Sequence, residues 1–490
     1  MKINAIVTVF FLLFSVEVSA QGKVNFKEVD SSTYALYNTK QWEKLLKEGK
    51  RGLKKGIDYY YLRMRMGIAR YRQEKPFFAA AHFEKALKFS HNDPAALTYL
   101  YNSYLWENNR SKAARLSAGF TPALKESLNV ETKTFQGFDV SSGYQFNDNV
   151  EKNGGLYIMG ADSLTGKQLL LGKQLFFHAG ASLLFFDRLN VYMSYDNLHI
   201  DKTTRFQYRE LRLKKDSTVL KTWGYENYFS ETSTVKEKIF DDAILQHDFY
   251  INANLRFNRG WSAGGFYHFI NVGSTKVNAI YSQSSKTDTA YYIEYQKYYE
   301  TFEYKQDSFR FETADTSYNN WFTGVFAEKD WNFLRVSFEL AAGNLNGFKQ
   351  KQASMGLIYY PFGNTSLYGK TVVSFFKQSK EQEPRFLWSQ TAGIKISSGI
   401  WFEAGYRQGD FSDAQFERGF LVYNLPEKIE YSANASLFFF LNKSVNVNLR
   451  YQHFYKTGKY GFFQKESNDF GINEFNYLSN TIIVELIWKF

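Results

Sequence analysis

Charged side chains recur at alternate positions within apolar segments between residues 131 and 490. Because strand side chains alternate between two faces, these charges would share one face, where they could bind or guide a charged solute. In a membrane barrel that face must line the lumen, since a lysine or arginine facing lipid at the midplane costs about 2–4 kcal/mol. The predicted lumen charges are Asp139, Asp196, Asp248, Arg256, Arg335, Glu339, Lys370, Arg385, Lys395, Glu403, Arg407, Glu430, Arg450 and Glu485.

Seven of these charges are acidic and seven are basic. A strongly selective pore is lined mainly by one sign of charge, so the balance predicts a mixed, salt-bridged interior. The alternative is that the charges only pair with one another and solvate a small barrel.

The histidines show no spacing typical of catalysis or metal binding. They are His82, His91, His178, His199, His247, His268 and His453. None forms a metal-binding pair with a nearby carboxylate at helical or strand spacing, and no compact Ser-His, Walker, dinucleotide or nucleophile-elbow motif occurs. The absence of cysteine excludes disulfides, thiolate metal sites and cysteine nucleophiles. We therefore predict a protein without metal, cofactor or enzymatic activity; the enzymatic alternative is a lipid-modifying site within the barrel.

The elements that would position the lumen charges are strands, because apolar residues follow a period of two from residue 131 onward. We predict an antiparallel transmembrane barrel of about 14 strands, within a range of about 12–16. Aromatic residues reach 19%, which fits the interfacial girdles of such a barrel. The candidate strands are 132–146, 173–186, 190–208, 242–257, 261–283, 316–328, 332–343, 348–360, 366–378, 385–397, 400–409, 427–441, 444–459 and 475–490.

Short and long connections alternate between these strands. Outer-membrane barrels have short periplasmic turns and long external loops, whereas a β-sandwich has no reason to sort its loops in this way. The long connections include 209–241 and 284–315, of which the second is rich in tyrosine and could stack on sugars or continue as a ribbon of strands. The short connections are 187–190, 258–260, 329–331, 361–365, 397–399 and 442–443. The tyrosines of the 284–315 connection are Tyr291, Tyr292, Tyr295, Tyr298, Tyr299 and Tyr304. An even strand count places the first and the last strand end of the barrel on the side of the short turns.

The last predicted strand has an unbroken apolar face that ends in an aromatic residue. That face consists of Ile482, Val484, Leu486, Trp488 and Phe490. The pattern resembles the closing strand of bacterial outer-membrane β-barrels, which the barrel-insertion machinery reads. The resemblance implies that this machinery and outer-membrane lipid are partners, whereas an ordinary sandwich strand is the alternative.

The first 20 residues have the pattern of a cleaved secretory signal. Lys2 precedes an apolar stretch, and small residues lie before a cut expected after Ala20. A retained anchor is the alternative. We predict an exported protein whose barrel occupies residues 131–490 in the outer membrane.

Residues 21–130 form a predicted helical module with a basic surface. Residues 21–128 carry 20 Lys and Arg against 10 Asp and Glu, a net charge of +10, while Lys2 and Glu17 cancel and residues 129–490 keep +1 of the total of +11. Helical spacing from Trp42 to Leu128 is interrupted at Gly56, at 74–76 and at 92–94. A basic surface on an exported module fits a periplasmic protein or an acidic polymer better than nucleic acid. A solvated lysine face is the alternative.

A repeat lies within this module. Its residues are Gly67, Ala79, Phe83, Ala86 and Pro94, followed one 34-residue period later by Leu100, Tyr104 and Ala113. The pattern resembles the tetratricopeptide repeat, in which small residues let two helices approach and an aromatic residue fills the gap. It departs at Arg70, Tyr101 and Ser117, and generic helical hairpins are the alternative.

A tetratricopeptide-like module followed by a barrel resembles the YaiO-type outer-membrane proteins and, more loosely, exopolysaccharide export porins. The resemblance rests on the repeat residues and on the final aromatic strand. It implies a periplasmic platform that docks cargo or a partner beside a barrel that transports or exports a solute or a polymer, for example a polysaccharide. A plugged, non-conducting barrel that anchors a periplasmic scaffold for envelope assembly or secretion is the second interpretation.

Overall fold

The computed structural model describes residues 25–107, 109–130, 133–160, 163–186, 188–221, 224–257, 260–292, 298–331, 333–464 and 469–490. The predicted signal segment, 1–20, lies outside these ranges. Within them, no helix combines the length and the apolar character needed to cross a membrane. The chain forms two compact units, one helical and one a β-barrel. A helical segment followed by a closed antiparallel barrel is the predicted fold class, which is confirmed.

The helical unit contains seven helices in the described residues. They are α1 (Phe26–Asn38), α2 (Trp42–Lys54), α3 (Tyr60–Arg72), α4 (Pro76–Ala86), α5 (Pro94–Trp106), α6 (Arg110–Ala118) and α7 (Pro122–Ser127). The predicted interruptions are confirmed: Gly56 has φ +80° after α2, and Glu74 has φ +58° before Pro76 opens α4. Pro94 opens α5, whose Ala96 amide donates to the Asp93 carboxylate at 2.8 Å. The sequence did not predict α1.

Two apolar clusters hold the helices together. One joins α1, α2 and α3 through Val29, Leu45 and Leu62, all fully buried. The other joins α3 to α6 and is centred on Phe83, also fully buried. Gly67 lies against the Phe83 ring so closely that a Cβ on Gly67 would stand 2.5 Å from Phe83 Cε1. A small residue at 67 therefore sets the separation of α3 and α4.

The barrel unit consists of fourteen strands that close into one ring, which confirms the predicted count. Ring closure pairs the first strand with the last, from Gly137↔Lys489 to Asn147↔Ser479. The predicted short connections 361–365, 397–399 and 442–443 are confirmed. Residues 329–331, predicted as a turn, instead end a wall strand, and residues 187, 258 and 259 of two further predicted turns lie outside the described residues. The wall strands are β1 (Phe135–Asn147), β2 (Ser163–Phe185), β3 (Leu189–Lys221), β4 (Gly224–Arg256), β5 (Trp261–Tyr292), β6 (Tyr298–Trp331), β7 (Leu334–Leu345), β8 (Phe348–Tyr359), β9 (Leu367–Gln378), β10 (Arg385–Ser397), β11 (Ile400–Gln408), β14 (Lys428–Phe440), β15 (Val445–Gln464) and β16 (Asp469–Lys489).

Two predicted long loops are instead strands. The β3–β4 pairing continues to Lys221↔Gly224, and the β5–β6 pairing continues to Tyr292↔Tyr298. The ribbon interpretation of the tyrosine-rich stretch is thus confirmed for its backbone, except at Tyr295, which lies outside the described residues. Because β6 pairs with β7 only from Trp321 onward, the distal part of this hairpin extends beyond the wall. The two hairpins contact each other through aromatic rings, with the centroids of Phe206 and Phe311 5.1 Å apart.

Apolar side chains cover the outside of the wall. Val325, Leu340 and Phe375 are 62%, 63% and 57% exposed, although all three are large and apolar. On β16, Ile482, Val484 and Trp488 are exposed on one face, as is Phe490 directly after the strand, while Thr481, Ile483 and Glu485 line the interior. A wall that is apolar outside and polar inside is what lipid contact requires. The Phe490 amide donates to the Gln136 carbonyl at 3.0 Å, next to the closing pair of strands.

Three further elements lie between the wall strands. A five-residue helix, α8 (Asn149–Asn153), follows β1, and the apolar period of two from residue 131 onward did not predict it. It is fixed by side-chain amides, since Asn149 Nδ2 donates to the Leu171 carbonyl at 3.0 Å. The connection from β11 to β14 contains a small hairpin of β12 (Gln415–Phe416) and β13 (Leu421–Val422).

Candidate functional site

The connection between β11 and β14, residues 409–427, fills part of the barrel interior, and we call it the plug. Its two ends leave the wall together, because Gln408 and Tyr431 are directly paired. From there the plug crosses to strands on the far side of the ring, β2, β3, β4 and β5. The Phe420 ring lies there, with its centroid 5.5 Å from that of His178 and 5.4 Å from that of Tyr250.

Polar contacts tie the plug to this far wall. Tyr250 donates its hydroxyl to the Arg418 carbonyl at 2.9 Å, and His268 Nδ1 lies 2.6 Å from the Gly419 carbonyl. The Asn424 amide donates to Gln246 Oε1 at 3.1 Å. Carbonyl and amide groups of the plug that would be costly to bury alone are therefore satisfied by the wall.

Other contacts hold the plug to strands between its base and the far wall. The Gln352 side chain on β8 accepts from the Gln415 amide at 3.2 Å and donates to the Gln415 carbonyl at 2.8 Å. The Gln415 side chain donates to Glu339, and Arg418 forms an ion pair with Glu328. The plug is therefore bound around much of the ring rather than at one point.

An apolar cluster anchors the base of the plug. Phe411 is fully buried and Phe416 is 7% exposed, and both pack against Phe376 and Phe454 of the wall. Phe416 and Phe454 of this cluster also line the cavity. The sequence did not predict this cluster, because the plug strands β12 and β13 are only two residues long and show no alternation of apolar and polar residues.

Glu417 of the plug lies against basic groups of the wall. Its Oε2 is 2.6 Å from Lys370 Nζ on β9, and its Oε1 is 3.5 Å from Arg407 Nη2 on β11. Arg407 also donates to the Tyr423 hydroxyl of the plug at 3.2 Å. These contacts join the plug to predicted lumen charges.

A histidine on β2 lies between two carboxylates. His178 Nδ1 is 2.6 Å from Asp196 Oδ1, and its Nε2 is 2.7 Å from Asp139 Oδ2. The Tyr192 hydroxyl donates to the same Asp139 oxygen at 2.9 Å. An imidazole with both nitrogens against carboxylate oxygens matches the doubly protonated form, in which both nitrogens donate. Across the described residues, no group of three or more His, Asp and Glu is placed to hold a metal ion.

The sequence contained a signal for this cluster that the histidine spacing did not show. His178 and Asp196 each lie nine residues from position 187, inside the predicted turn, and they are direct cross-strand partners. Counting outward from a tight turn therefore pairs them, because a hairpin turn fixes the register of its strands. Asp139 joins them through β1, which pairs with β2 on its other side.

A cavity of about 910 Å³ remains between the plug and the wall. Its lining includes plug residues such as Glu417 and Phe420, and wall residues close to the short turns, such as Ile358 and Ile487. The structure places ten of the fourteen predicted lumen charges on this lining: Asp139, Asp196, Asp248, Arg335, Glu339, Lys370, Glu403, Arg407, Arg450 and Glu485.

The other four predicted lumen charges, Arg256, Arg385, Lys395 and Glu430, lie outside the lining of this cavity. Arg385 forms ion pairs with Glu381 at 3.2 Å and with Asp410 at 3.1 Å, beside the start of the plug. Lys395 is exposed near a short turn, and Arg256 is the last residue of β4.

Glu430 lies where the register of β14 against β15 shifts, between Ile429 and Tyr431. It accepts a bond from Lys428 at 3.0 Å. The irregularity interrupts the alternation on which the lumen prediction for Glu430 depended.

The predicted repeat residues come together in the helical unit. Ala79, Phe83, Ala86, Leu100, Tyr104 and Ala113 are buried in one cluster. The Tyr104 hydroxyl donates to Glu84 at 2.7 Å, and burial followed by the Glu84 charge raises the pKa of Tyr104. Their packing agrees with the role expected of them, while membership in the tetratricopeptide family stays a prediction. The predicted basic surface is exposed at Lys44, Lys47, Lys50, Lys54 and Lys55.

Comparison with known proteins finds relatives at the level of fold. No protein-family model and no curated protein matches the sequence. The structure is similar to the toluene transporter TodX of Pseudomonas putida, with 7% identity, 76% of this chain and 94% of that chain covered, and a TM-score of 0.38.

Two further solved structures are similar to the chain. A FadL homologue of Pseudomonas aeruginosa has 8% identity, the same coverage and the same TM-score of 0.38. The outer-membrane protease OmpT of Escherichia coli has 8% identity, 74% and 99% coverage, and a TM-score of 0.20. These neighbours are outer-membrane proteins, and likenesses this low carry no conclusion about activity.

Proposed function

We propose that this protein is an outer-membrane channel for a small solute, with the plug controlling passage. The observation that carries the proposal is the cavity of about 910 Å³, which is lined by both signs of charge and lies between the plug and a closed barrel wall. Cavities of roughly 300–1,000 Å³ are the usual size for small-molecule sites. We therefore favour a solute over a polysaccharide chain, whose passage would require complete displacement of the plug.

The contacts of the plug support a movable element. Beyond the apolar cluster at its base, these contacts are hydrogen bonds and partly exposed ion pairs, and such interactions contribute only about 0.5–1.5 kcal/mol each. The plug also returns to the wall at the strand pair from which it leaves, so displacement requires no change in the pairing of β11 with β14.

We propose that the helical unit lies in the periplasm and docks a partner or cargo. The basis is topological: β1 begins at the end of the barrel that carries the short turns, which are periplasmic in barrels of this type. The exposed lysines of α2 give this unit a basic surface for an acidic protein segment or polymer.

Single-channel recording in planar bilayers tests the channel function. A variant in which residues 410–428 are replaced by a short Gly-Ser turn can reclose the wall, because Gln408 and Tyr431 are already paired. We expect this variant to conduct continuously and the intact protein to conduct rarely, since a side-chain-lined lumen conducts once it is unobstructed. A folded plugless barrel that carries no current would reject the channel.

The matched control shortens the ribbon instead. Removing residues 289–301, the distal part of the β5–β6 hairpin, leaves the plug and its wall contacts in place. This variant should conduct like the intact protein. Heat-modifiable mobility on a gel confirms for each variant that the barrel is closed.

A plugged barrel that anchors a periplasmic scaffold is the second candidate. The ring of plug contacts, which reaches from β2 to β11, is the observation that favours it. In that case the plugless variant would conduct, but no solute would cross the intact protein in reconstituted vesicles.

A further inference from the structure

Three basic side chains on the same side of the lumen form what we call the basic cluster: Lys370 on β9, Arg407 on β11 and Arg450 on β15. All three line the cavity. The plug residue Glu417 is their shared acidic neighbour, at 2.6 Å from Lys370 and 3.5 Å from Arg407, and Arg450 acts on it through its charge. Glu417 is the carboxylate that these three cations share, and Glu339 on β7 also acts on Lys370 through its charge.

Other carboxylates near the cavity are held by different partners. The Tyr368 hydroxyl donates to Glu403, Gln415 donates to Glu339, and Arg418 pairs with Glu328. The carboxylate in ion-pair contact with Lys370 and Arg407 is therefore supplied by the plug rather than by the wall. A group supplied by the plug leaves the site whenever the plug moves.

The ion pair of Glu417 is open to the cavity. The Glu417 side chain is 47% exposed and that of Lys370 is 31% exposed, although both lie inside the barrel. A solute within the cavity can therefore reach the same nitrogens without first breaking the apolar base of the plug.

The backbone around Glu417 is held in an unfavourable conformation. Glu417, Arg418 and Gly419 have φ values of +53°, +62° and +75°, the left-handed region that side chains other than glycine rarely adopt. Contacts made by these residues must offset that cost. Loss of the Glu417 contact therefore favours release of this part of the plug.

We propose that the basic cluster binds the carboxylate of a small organic anion, and that Glu417 occupies the cluster as an internal substitute until such a solute displaces it. This assignment rests on the proposed channel and names the class of its solute. A lysine combined with arginines suits a carboxylate, since guanidinium groups can bind both oxygens and the ammonium adds a compact charge. Displacement of Glu417 would couple solute binding to plug release, because the solute binds only the released state.

Calorimetric titration of the full-length protein in detergent tests the assignment independently of transport. The probes are acetate, succinate and benzoate, each compared with its uncharged amide. We expect Glu417→Gln to tighten carboxylate binding by about fivefold, the effect of removing a competing, partly exposed ion pair. Lys370→Gln should weaken it by about tenfold, as expected for loss of a charged hydrogen bond.

Opposite changes in carboxylate affinity in Glu417→Gln and Lys370→Gln distinguish a competing Glu417 from an ion pair that only stabilises the structure. A structural pair would lose stability in both variants and bind no probe in either. Glu430→Gln and Lys395→Gln make the same chemical changes away from the cavity and should leave binding unchanged. Lys370→Gln is preferred to a change at Arg407, whose contact with Tyr423 also supports the plug.

The outcomes distinguish this assignment from the channel itself. Three results would each overturn the assignment of a carboxylate to the basic cluster. They are no carboxylate binding to either the intact protein or Glu417→Gln, equal binding of the amides, and no effect of Lys370→Gln. Carboxylate binding with the expected signs, together with a plugless barrel that carries no current, would instead retain the site and reject the channel.

Discussion

The helical unit and the barrel distribute apolar and charged residues in opposite ways. In the helical unit Phe83 and Leu62 are fully buried, while the lysines of α2 are exposed. In the barrel Val325 and Phe375 are exposed on the outside, and charges such as Asp248 are buried within. The difference shows that the surrounding medium determines which face is apolar. Water selects a charged exterior for one unit, and lipid selects an apolar exterior for the other.

The two interiors are consequently stabilised by different interactions. Close packing around Phe83 holds the helices, so a change of one methyl group there alters the free energy of unfolding. Hydrogen bonds and ion pairs hold the part of the plug beyond its apolar base, so these contacts can be exchanged for those of water or a solute. A packed apolar core cannot be exchanged in this way without a cavity.

Phe83→Ala is the change with the largest expected effect on this contrast. It should cost the helical unit about 3–5 kcal/mol, because it removes a fully buried ring from a close-packed core. Thermal unfolding of the full chain followed by circular dichroism should show the helical transition shifted down and the strand transition unchanged. Phe89→Ala is the control, since Phe89 is 51% exposed. Equal shifts of both transitions would contradict independent stabilisation.

Val484→Arg tests the outside of the barrel. Val484 faces outward at 53% exposure, so the charge should destabilise the barrel by about 2–4 kcal/mol if the position lies near the midplane. The measurement is the urea midpoint of unfolding in lipid vesicles. Ile483→Arg is the matched control, because Ile483 lines the cavity and a charge there can be solvated. A larger loss at Ile483 than at Val484 would break the inside-out comparison.

Gly67→Ala tests how close the packing between α3 and α4 is. The added methyl would stand 2.5 Å from the Phe83 ring, and such overpacking costs about 1–3 kcal/mol. Chemical denaturation of the helical unit within the full chain measures the loss. Gly119→Ala should be nearly neutral, because its nearest neighbour would be at 3.7 Å. A neutral Gly67→Ala would mean that the helices separate at little cost.

His82 tests the helical interior through pH. Burial, followed by the charges of Arg63 and Arg70, lowers the pKa of His82 to about 4 from its ordinary 6.5. Between these two pH values His82 is therefore protonated in the unfolded chain and neutral in the folded unit. Stability is complete above pH 6.5 and is lost as the pH falls toward 4, by about 1–2 kcal/mol between pH 6.5 and about pH 5.

Unfolding midpoints measured across this range check the prediction. His82→Gln should remove most of the slope, whereas His91→Gln should leave it, because His91 is exposed in the same unit. A pH-independent midpoint in the unmodified protein would show that the pKa of His82 is the same in the folded and unfolded states.

Alternation and turn residues were sufficient to predict the barrel wall. Each wall strand presents one face to lipid and one to the lumen, so the apolar period of two follows from the fold. The hairpins beyond the wall were predicted as loops because neither face of an extended ribbon must be apolar, as shown by β6 before Trp321. The helix α1 was missed because Ser31, Ser32 and Thr33 favour helix weakly, and burial of Val29 compensates.

The plug could not be predicted in the same way. Its residues Gln415, Glu417 and Arg418 read as an ordinary polar loop, and only the position of the wall shows that their partners surround them. Contacts between distant strands carry no local period. The pairing of His178 with Asp196 was predictable from the sequence, because the turn near position 187 determines the register of the two strands.

Attachment of the plug at both ends has a quantitative consequence for any competing solute. Glu417 is carried by a short loop whose ends are fixed at Gln408 and Tyr431, so it meets Lys370 as an intramolecular ligand. Tethers of this length give effective concentrations of about millimolar order. A carboxylate of similar intrinsic affinity must reach about that concentration to occupy half of the sites. The barrel would then respond to abundant anions and ignore traces.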